Sequence, residues 1–146
     1  MCYIGRLDDD SSVAKMATED IVVWKVGVNT GRFKCDKIKA PFMPYSYNKK
    51  YHKVKEVNIL IIDALQKMLI YEGLHSYVSF KFTNKYSDLI PNKCYCKCYI
   101  PKGSIYFSND EEIVSQELIF DKAYVDAPWY YKLLGIKLKC IHTWKD

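Results

Sequence analysis

Short apolar runs of strand length, separated by turn residues, recur along most of the chain. Residues 21–28 (IVVWKVGV) are rich in β-branched side chains, which predicts a buried strand. A turn signal at residues 29–31 precedes residues 32–38, which we interpret as the return strand of a hairpin. The same criteria predict further strands at residues 70–80, 94–100, 104–108, 113–120 and 136–144.

One segment instead has helical periodicity. Within residues 57–69 the apolar side chains recur every three or four positions, so that they share one stripe of a helix. Residues 84–89 and 129–134 predict shorter helices, the second with Gly135 as its C-terminal cap. The predicted fold class is therefore α+β: a mainly antiparallel β-sheet, continuous or split, with one long helix and one or two short helices. The stripe of the long helix comprises Val57, Leu60, Ile61, Ala64, Leu65, Met68 and Leu69.

The first part of the chain differs from the rest. Residues 1–18 include a run of aspartates and serines, which we interpret as a loose leader, and residues 19–146 are expected to form a single α+β domain. The full length of 146 residues is enough for one hydrophobic core. Because neither a secretory signal nor an apolar stretch of about 20 residues is found, we expect a cytoplasmic protein with reduced cysteines and no membrane partner.

Three cysteines alternate within NKCYCKCYIPKGS (residues 92–104). On a strand, side chains two residues apart are separated by about 6.5 Å, which is too far for three sulfurs to bind one tetrahedral zinc ion. The opposite face of the strand carries Lys97, which prefers water. We therefore predict that Cys94, Cys96 and Cys98 face the core as small apolar side chains, and that the chain has no metal site.

Motifs of the common nucleotide-binding, hydrolase and metalloprotease classes are not found in the sequence. Three other stretches stand out: GLHSY in residues 72–80, CYIPKGSIY in residues 98–107 and SQELI in residues 114–120. In this order they resemble the G-[FL]-H-S-[FY], C-x-I-P-K-G-S-x-Y and S-[EDQ]-x-[IL]-[IV] motifs of a family of small bacterial and phage proteins. The resemblance covers residues 70–120 and implies no activity, because that family has no assigned function.

The order of the strands is also similar to that of ADP-ribosyltransferase domains, which are split β-sheets around an NAD cleft. This resemblance implies that Lys25 binds the NAD cofactor. It also implies that His75 and Ser76, which form the second strand signature, are catalytic together with the glutamate Glu117. Such a glutamate stabilises the positive charge that develops as nicotinamide leaves. Lys25 replaces the usual arginine or histidine, and Ser115 replaces the first glutamate of E-x-E. These departures favour a degenerate binding protein over an active NAD-dependent ADP-ribosyltransferase.

The alternative class of function is a phage or host-interaction module that binds protein or nucleic acid. The formal net charge of +5 permits an anionic partner without requiring one. Aromatic and basic residues interleave along a predicted surface loop at residues 44–55, an arrangement that can stack bases and neutralise phosphates. The cluster Trp129, Tyr130 and Tyr131 is a second candidate, for a protein partner, because aromatic residues are enriched at interfaces. The candidate binding residues of the loop are Tyr45, Tyr47, Lys49, Lys50, Tyr51 and Lys53.

Overall fold

The structure is a computed structural model that describes residues 3–30, 38–41, 46–87 and 89–145. Within these ranges nearly all regular structure is antiparallel β-sheet, accompanied by two short helices. The strands are β1 (Tyr3–Arg6), β2 (Lys15–Met16), β3 (Ile21–Asn29), β4 (Ile38–Lys39), β5 (Tyr51–Lys53), β6 (Asn58–Ile62), β7 (Lys67–Glu72), β8 (Leu74–Tyr77), β9 (Lys93–Ile100), β10 (Ile105–Ser108), β11 (Glu112–Ser115), β12 (Glu117–Asp126) and β13 (Leu138–Thr143). The helices are α1 (Phe80–Ser87) and α2 (Trp129–Lys132).

The larger of two sheets has the strand order β13-β12-β9-β3-β8-β11-β10-β2. Strand β9 pairs with β3 along one edge and with β12 along the other, while β4 and β5 add to β3 and β12 outside this path. The strand predicted at residues 113–120 is divided at Gln116. Its first half, β11, pairs with β8 and β10, whereas its second half, in β12, pairs with β5 and β9.

The inward face of β9 carries the alternating cysteines. Cys94, Cys96 and Cys98 are each 0 % exposed and have free thiols within the main hydrophobic core, which confirms their predicted orientation. Gly27 of β3 lies opposite Cys94. A Cβ atom at this glycine would approach the Sγ atoms of Cys94 and Cys96 to 3.0 Å, so only a residue without a side chain lets β3 pack closely over the thiols.

The other face of β9 is covered by α1 around Tyr95. The ring of Phe80, at the start of α1, lies 6.1 Å from the ring of Tyr95 and 5.6 Å from that of Trp24, measured between centroids. Tyr95 is consequently buried as well. The sequence predicts a short helix at residues 84–89, whereas α1 begins four residues earlier, at Phe80, and ends at Ser87.

The long helix predicted at residues 57–69 is wrong. These residues form β6 and the start of β7, joined by a 3-10 turn at Asp63–Leu65 and by Gln66, whose φ of 52° reverses the chain. Both strands belong to a smaller sheet of order β1-β7-β6. The apolar run of β6 is continuous, so it fits a helical stripe and a strand equally well, and its three isoleucines favour the strand. The predicted α+β class is therefore also wrong: the fold is mainly antiparallel β, without a long helix among the described residues.

Part of the predicted leader is built into the smaller sheet. Strand β1 pairs with β7, and Tyr3 is fully buried with its hydroxyl donating to the carbonyl oxygen of Ser11 at 2.7 Å. Asp9 accepts a hydrogen bond of 2.8 Å from the backbone N–H of Ser11 and so closes the turn after β1. The hairpin partner predicted at residues 32–38 lies outside the described residues except for Ile38, which begins β4 and pairs with the end of β3.

Candidate functional site

Glu117, the predicted catalytic glutamate, lies at the first position of β12. Its carboxylate accepts hydrogen bonds from the hydroxyls of Ser104 and Tyr51, and the ammonium of Lys53 lies 3.9 Å away. Tyr51 and Lys53 come from β5, which pairs directly with this end of β12. The hydroxyl donors of Ser104 and Tyr51 hold the pKa of Glu117 below its ordinary value. The hydrogen bond between Tyr51 and Glu117 also raises the pKa of Tyr51. Glu117 is thus an ionised group whose partners fasten β5 to β12.

Lys25, the predicted cofactor-binding residue, projects from β3 toward the face that carries the cysteines. It lies opposite Cys96 in the ladder between β3 and β9. Its ammonium donates a hydrogen bond of 2.5 Å to the carbonyl oxygen of His75 and lies 5.8 Å from the centre of the Tyr47 ring. Burial lowers the pKa of Lys25. Among the described residues, no carboxylate is paired with it.

His75 and Ser76, the predicted second signature, turn their side chains to opposite faces of β8. Ser76 pairs with Ile113, which belongs to the main core, and its buried hydroxyl donates to the Ile113 carbonyl oxygen at 3.3 Å. His75 pairs with Val114, which belongs to a smaller core beneath the three-stranded sheet. Burial lowers the pKa of His75 to about 4, and its Nδ1 atom has no hydrogen-bond partner in the described part of the chain.

The four residues of the transferase resemblance therefore do not surround one concave site. Lys25 meets His75 only through the backbone carbonyl group, since the imidazole ring turns toward the smaller core. The hydroxyl of Ser76 donates its hydrogen bond to a backbone carbonyl oxygen within the sheet. The carboxylate of Glu117 accepts hydrogen bonds from hydroxyls of two other segments. A dinucleotide site needs a basic group and a carboxylate facing the same cleft, and this arrangement is not formed.

The aromatic and basic residues of the predicted loop at residues 44–55 also lie in different environments. Tyr47 is only 4 % exposed, and its ring lies 4.7 Å from the ring of Phe120, so it cannot stack on a nucleic-acid base. Tyr51 and Lys53 are engaged by Glu117, whose carboxylate offsets the lysine charge. Lys49 and Lys50 lie in the bend before β5, and Tyr45 lies outside the described residues. The exposed part of this loop is therefore smaller than the basic and aromatic surface that the sequence predicts.

A group of strongly exposed apolar side chains lies at the tip of the hairpin formed by β12 and β13. Trp129, Leu133 and Leu134 are 74 %, 77 % and 75 % exposed, and Tyr130 and Ile136 are also exposed. We call residues 129–136 the aromatic tip. The sequence predicts its three aromatic residues as a binding cluster and its leucines only as part of a short helix. Their exposure follows from their place in the connection between β12 and β13, which no strand of the described residues covers.

Backbone hydrogen bonds give the aromatic tip a defined shape. Its base is closed by the N–H group of Ala127, which donates to the carbonyl oxygen of Lys137 at 3.0 Å. Gly135 ends the helical turn with a φ of 80°, and the next N–H, of Ile136, donates to the carbonyl oxygen of Tyr131 at 3.0 Å. The rings of Tyr130 and Tyr131 pack at 4.9 Å between centroids. The apolar side chains are therefore presented by an ordered turn.

An open pocket of about 260 Å³ lies next to Glu117 and Ser104, because Gln116 and Ile105, their neighbours in sequence, are part of its lining. One side is the edge of the smaller sheet and the other is β10. No set of three His, Cys, Asp or Glu side chains in the described ranges is arranged to hold a metal ion. The pocket is lined by Glu56, Val57, Ile59, Ile105, Phe107 and Gln116.

Comparison with protein-family models, with curated proteins and with solved structures finds no match to this chain. None of the described helices is long and apolar enough to cross a lipid bilayer. Among the described residues, the geometry offers an engaged polar cluster at Glu117, a partly buried lysine at Lys25 and an exposed apolar projection, the aromatic tip.

Proposed function

We propose that this chain is a binding protein that docks a protein partner through the aromatic tip. The observation that supports this proposal most strongly is the exposure of Trp129, Leu133 and Leu134, each about three-quarters accessible, on a hydrogen-bonded turn. Large apolar side chains at such exposure cost solubility, and they mark interaction surfaces when they are contiguous. Tryptophan and tyrosine are also the residues most often found as energetic anchors of protein interfaces.

The charge of the tip defines the chemistry of the partner. Exposed Lys132 lies within the tip, exposed Lys137 and Lys139 follow it in sequence, and Asp126, at the end of β12, is the acidic residue that precedes it. The complementary surface is an apolar groove that receives Trp129, with a rim of Asp and Glu side chains facing the lysines. Because the turn is already closed by backbone hydrogen bonds, little ordering is needed on binding, which favours affinity.

Catalysis by the transferase residues receives no support from their positions. Lys25, His75, Ser76 and Glu117 have separate partners, and a reaction between NAD and an acceptor requires them on one cleft. Binding of nucleic acid through the loop is equally weakly supported, since Tyr47 is buried and Lys53 faces Glu117. The interaction module is thus the function that the described geometry favours.

Site-specific photo-crosslinking in cells that produce the protein tests this proposal. A photoreactive residue is placed at Leu133 in the tip and, as a matched control, at Leu89, which is 98 % exposed and lies outside the tip. We expect a discrete protein adduct from position 133 that position 89 does not give, with the attachment beside an apolar groove rimmed by Asp or Glu. Adducts with lipids alone, or the same products from both positions, would refute a protein partner.

A further inference from the structure

Strand β6 forms an open edge of the smaller sheet. In the order β1-β7-β6, each outer strand pairs with β7 alone. Side chains cover the outer edge of β1, where the N–H group of Arg6 donates to Oγ of Ser11 at 2.8 Å and Asn109 donates to the carbonyl oxygen of Ile4 at 3.4 Å. Among the described residues, no side chain bonds to the backbone of β6 in this way. The strand (NILII) also has neither the charge nor the proline that usually protects an edge from pairing.

The alternation of the ladder shows which backbone groups of β6 are open. Because Arg6 turns its N–H group away from β7, the next pair along the ladder bonds Met68 to β1, and Leu69 then bonds to Leu60 on β6. Ile59 and Ile61 therefore turn their N–H and C=O groups to the open edge.

The side chains of the same two isoleucines lie on the core side of the sheet. Ile59 pairs with Ile70 and Ile61 pairs with Met68, and both partners are buried in the smaller core. Paired side chains of an antiparallel ladder point to the same face. Ile59 and Ile61 are nevertheless 43 % and 57 % exposed. The core side of β6 is thus incompletely covered within one copy of the chain, next to the pocket that Ile59 helps to line.

We infer that β6 pairs with β6 of a second copy of this chain, so that two smaller sheets join into one antiparallel sheet. Two-fold symmetry requires one residue of the strand to lie opposite its own counterpart. It also keeps the core sides of the two sheets on the same face. With Ile59 at the centre, Val57 lies opposite Ile61 of the second copy, and the exposed apolar side chains of the core side cover one another.

The charges that flank β6 favour a second copy as the occupant of the edge. Exposed Lys55 lies three residues before the strand, and exposed Asp63 follows it directly. In the register centred on Ile59, Lys55 of each copy lies opposite Asp63 of the other, so unlike charges meet at both ends. A register centred on Leu60 would place Lys55 opposite Leu65 instead. Charge complementarity therefore selects the register as well as the partner.

Zero-length crosslinking of the unmodified chain tests this inference. Equal amounts of ¹⁴N- and ¹⁵N-labelled protein are mixed, equilibrated and treated with a carbodiimide, which joins a lysine to a carboxylate in direct contact. We expect a crosslinked dimer and a peptide that joins Lys55 to Asp63, with different isotopes in its two parts. Within one copy the extended strand keeps these residues about 15 Å or more apart, so the linkage cannot arise inside a single chain.

Charge variants provide the second measurement, with the dissociation constant of the dimer determined by analytical ultracentrifugation. Asp63→Lys should weaken self-association by about tenfold, because two ion pairs of each dimer become repulsive. Combining it with Lys55→Asp restores unlike charges and should recover most of the loss. Glu19→Lys makes the same change in charge at an exposed residue outside β6, and it should associate as the wild type does.

Three outcomes would overturn the inference. The first is a chain that stays monomeric at every concentration tested. The second is a dimer whose crosslinks lie only elsewhere, for example in the aromatic tip. The third is a double variant that associates no better than Asp63→Lys alone. If the variants do not fold, the crosslinked peptides of the wild-type protein still decide the question.

Discussion

The hydroxyl of Tyr51 donates a hydrogen bond to the carboxylate of Glu117 across the ladder that joins β5 to β12. The two residues are 66 positions apart in sequence, and the sequence predicts Tyr51 as a partner-binding residue and Glu117 as a catalytic one. Their contact shows that both belong to one polar cluster, completed by Ser104 and Lys53. The cluster explains why β5, only three residues long, remains attached to the larger sheet.

Glu117→Gln should destabilise the fold because it removes the charged acceptor of two hydroxyls, one of them on the buried Ser104. We expect a loss of about 1 kcal/mol in the free energy of unfolding at pH 7, measured by urea denaturation. The pKa of Glu117 is lowered in the folded state, so the difference from wild type should vanish as the pH falls well below the ordinary carboxyl range. The control is Glu19→Gln on an exposed residue; equal effects of the two changes would argue against the cluster.

Incubation with NAD should release no nicotinamide above a protein-free blank, because the four residues of the transferase resemblance face different surroundings. Chromatographic measurement of nicotinamide provides the test. The diagnostic comparison is with Glu117→Gln, which keeps the shape of the side chain and removes its charge. Turnover by the wild type that disappears in this variant would restore the enzyme interpretation.

The protein should lose stability when the pH falls from about 6.5 to 4. Burial lowers the pKa of His75 to about 4, whereas the unfolded chain has the ordinary histidine value of about 6.5, so in this window only the unfolded state binds the proton. The expected contribution of His75 is at most about 3.4 kcal/mol in the free energy of unfolding. Urea denaturation at pH 7 and pH 4.5 should show a shallower dependence for His75→Gln than for His142→Gln. The same slope in both variants would contradict the assignment to His75.

Gly27→Ala should crowd the main core, since a Cβ atom there would lie 2.6 Å from Cγ2 of Ile38 and 3.0 Å from two cysteine sulfurs. Overpacking of this kind costs about 1–3 kcal/mol, which thermal or urea unfolding can resolve. Ile38→Ala removes the nearest of these atoms. The double variant should therefore lose less stability than the sum of the two single variants, and strict additivity would argue against the contact.

The sequence predicted the local parts of this fold better than its long-range pairings. The alternation at Cys94, Cys96 and Cys98 sufficed to place β9 in the core, because Lys97 identifies the opposite face. The continuous apolar run of β6 did not separate strand from helix, since the outcome was decided by pairing with β7, and β7 in turn pairs with β1 near the start of the chain.

In the candidate site, the opposite faces of His75 and Ser76 could be predicted from the sequence, whereas the burial of Tyr47 and the exposure of the leucines could not. His75 and Ser76 are adjacent on a strand, and the period of two already places their side chains on opposite faces. The burial of Tyr47 has no local signal, because its carbonyl oxygen accepts from the Trp144 indole, 97 residues away, and its ring packs on Phe120. The exposure of Leu133 and Leu134 likewise depends on where the hairpin of β12 and β13 projects.

A calorimetric titration of the purified partner identified by crosslinking tests the central claim most directly. Wild type, Trp129→Ala and Leu89→Ala are compared, and both side chains are so exposed that neither change should disturb the fold. We predict that Leu89→Ala binds as the wild type does. Trp129→Ala should lose affinity by about 30-fold, which corresponds to the ~2 kcal/mol of an interface anchor. Equal affinity of Trp129→Ala and wild type would contradict the assignment of the aromatic tip as the binding surface.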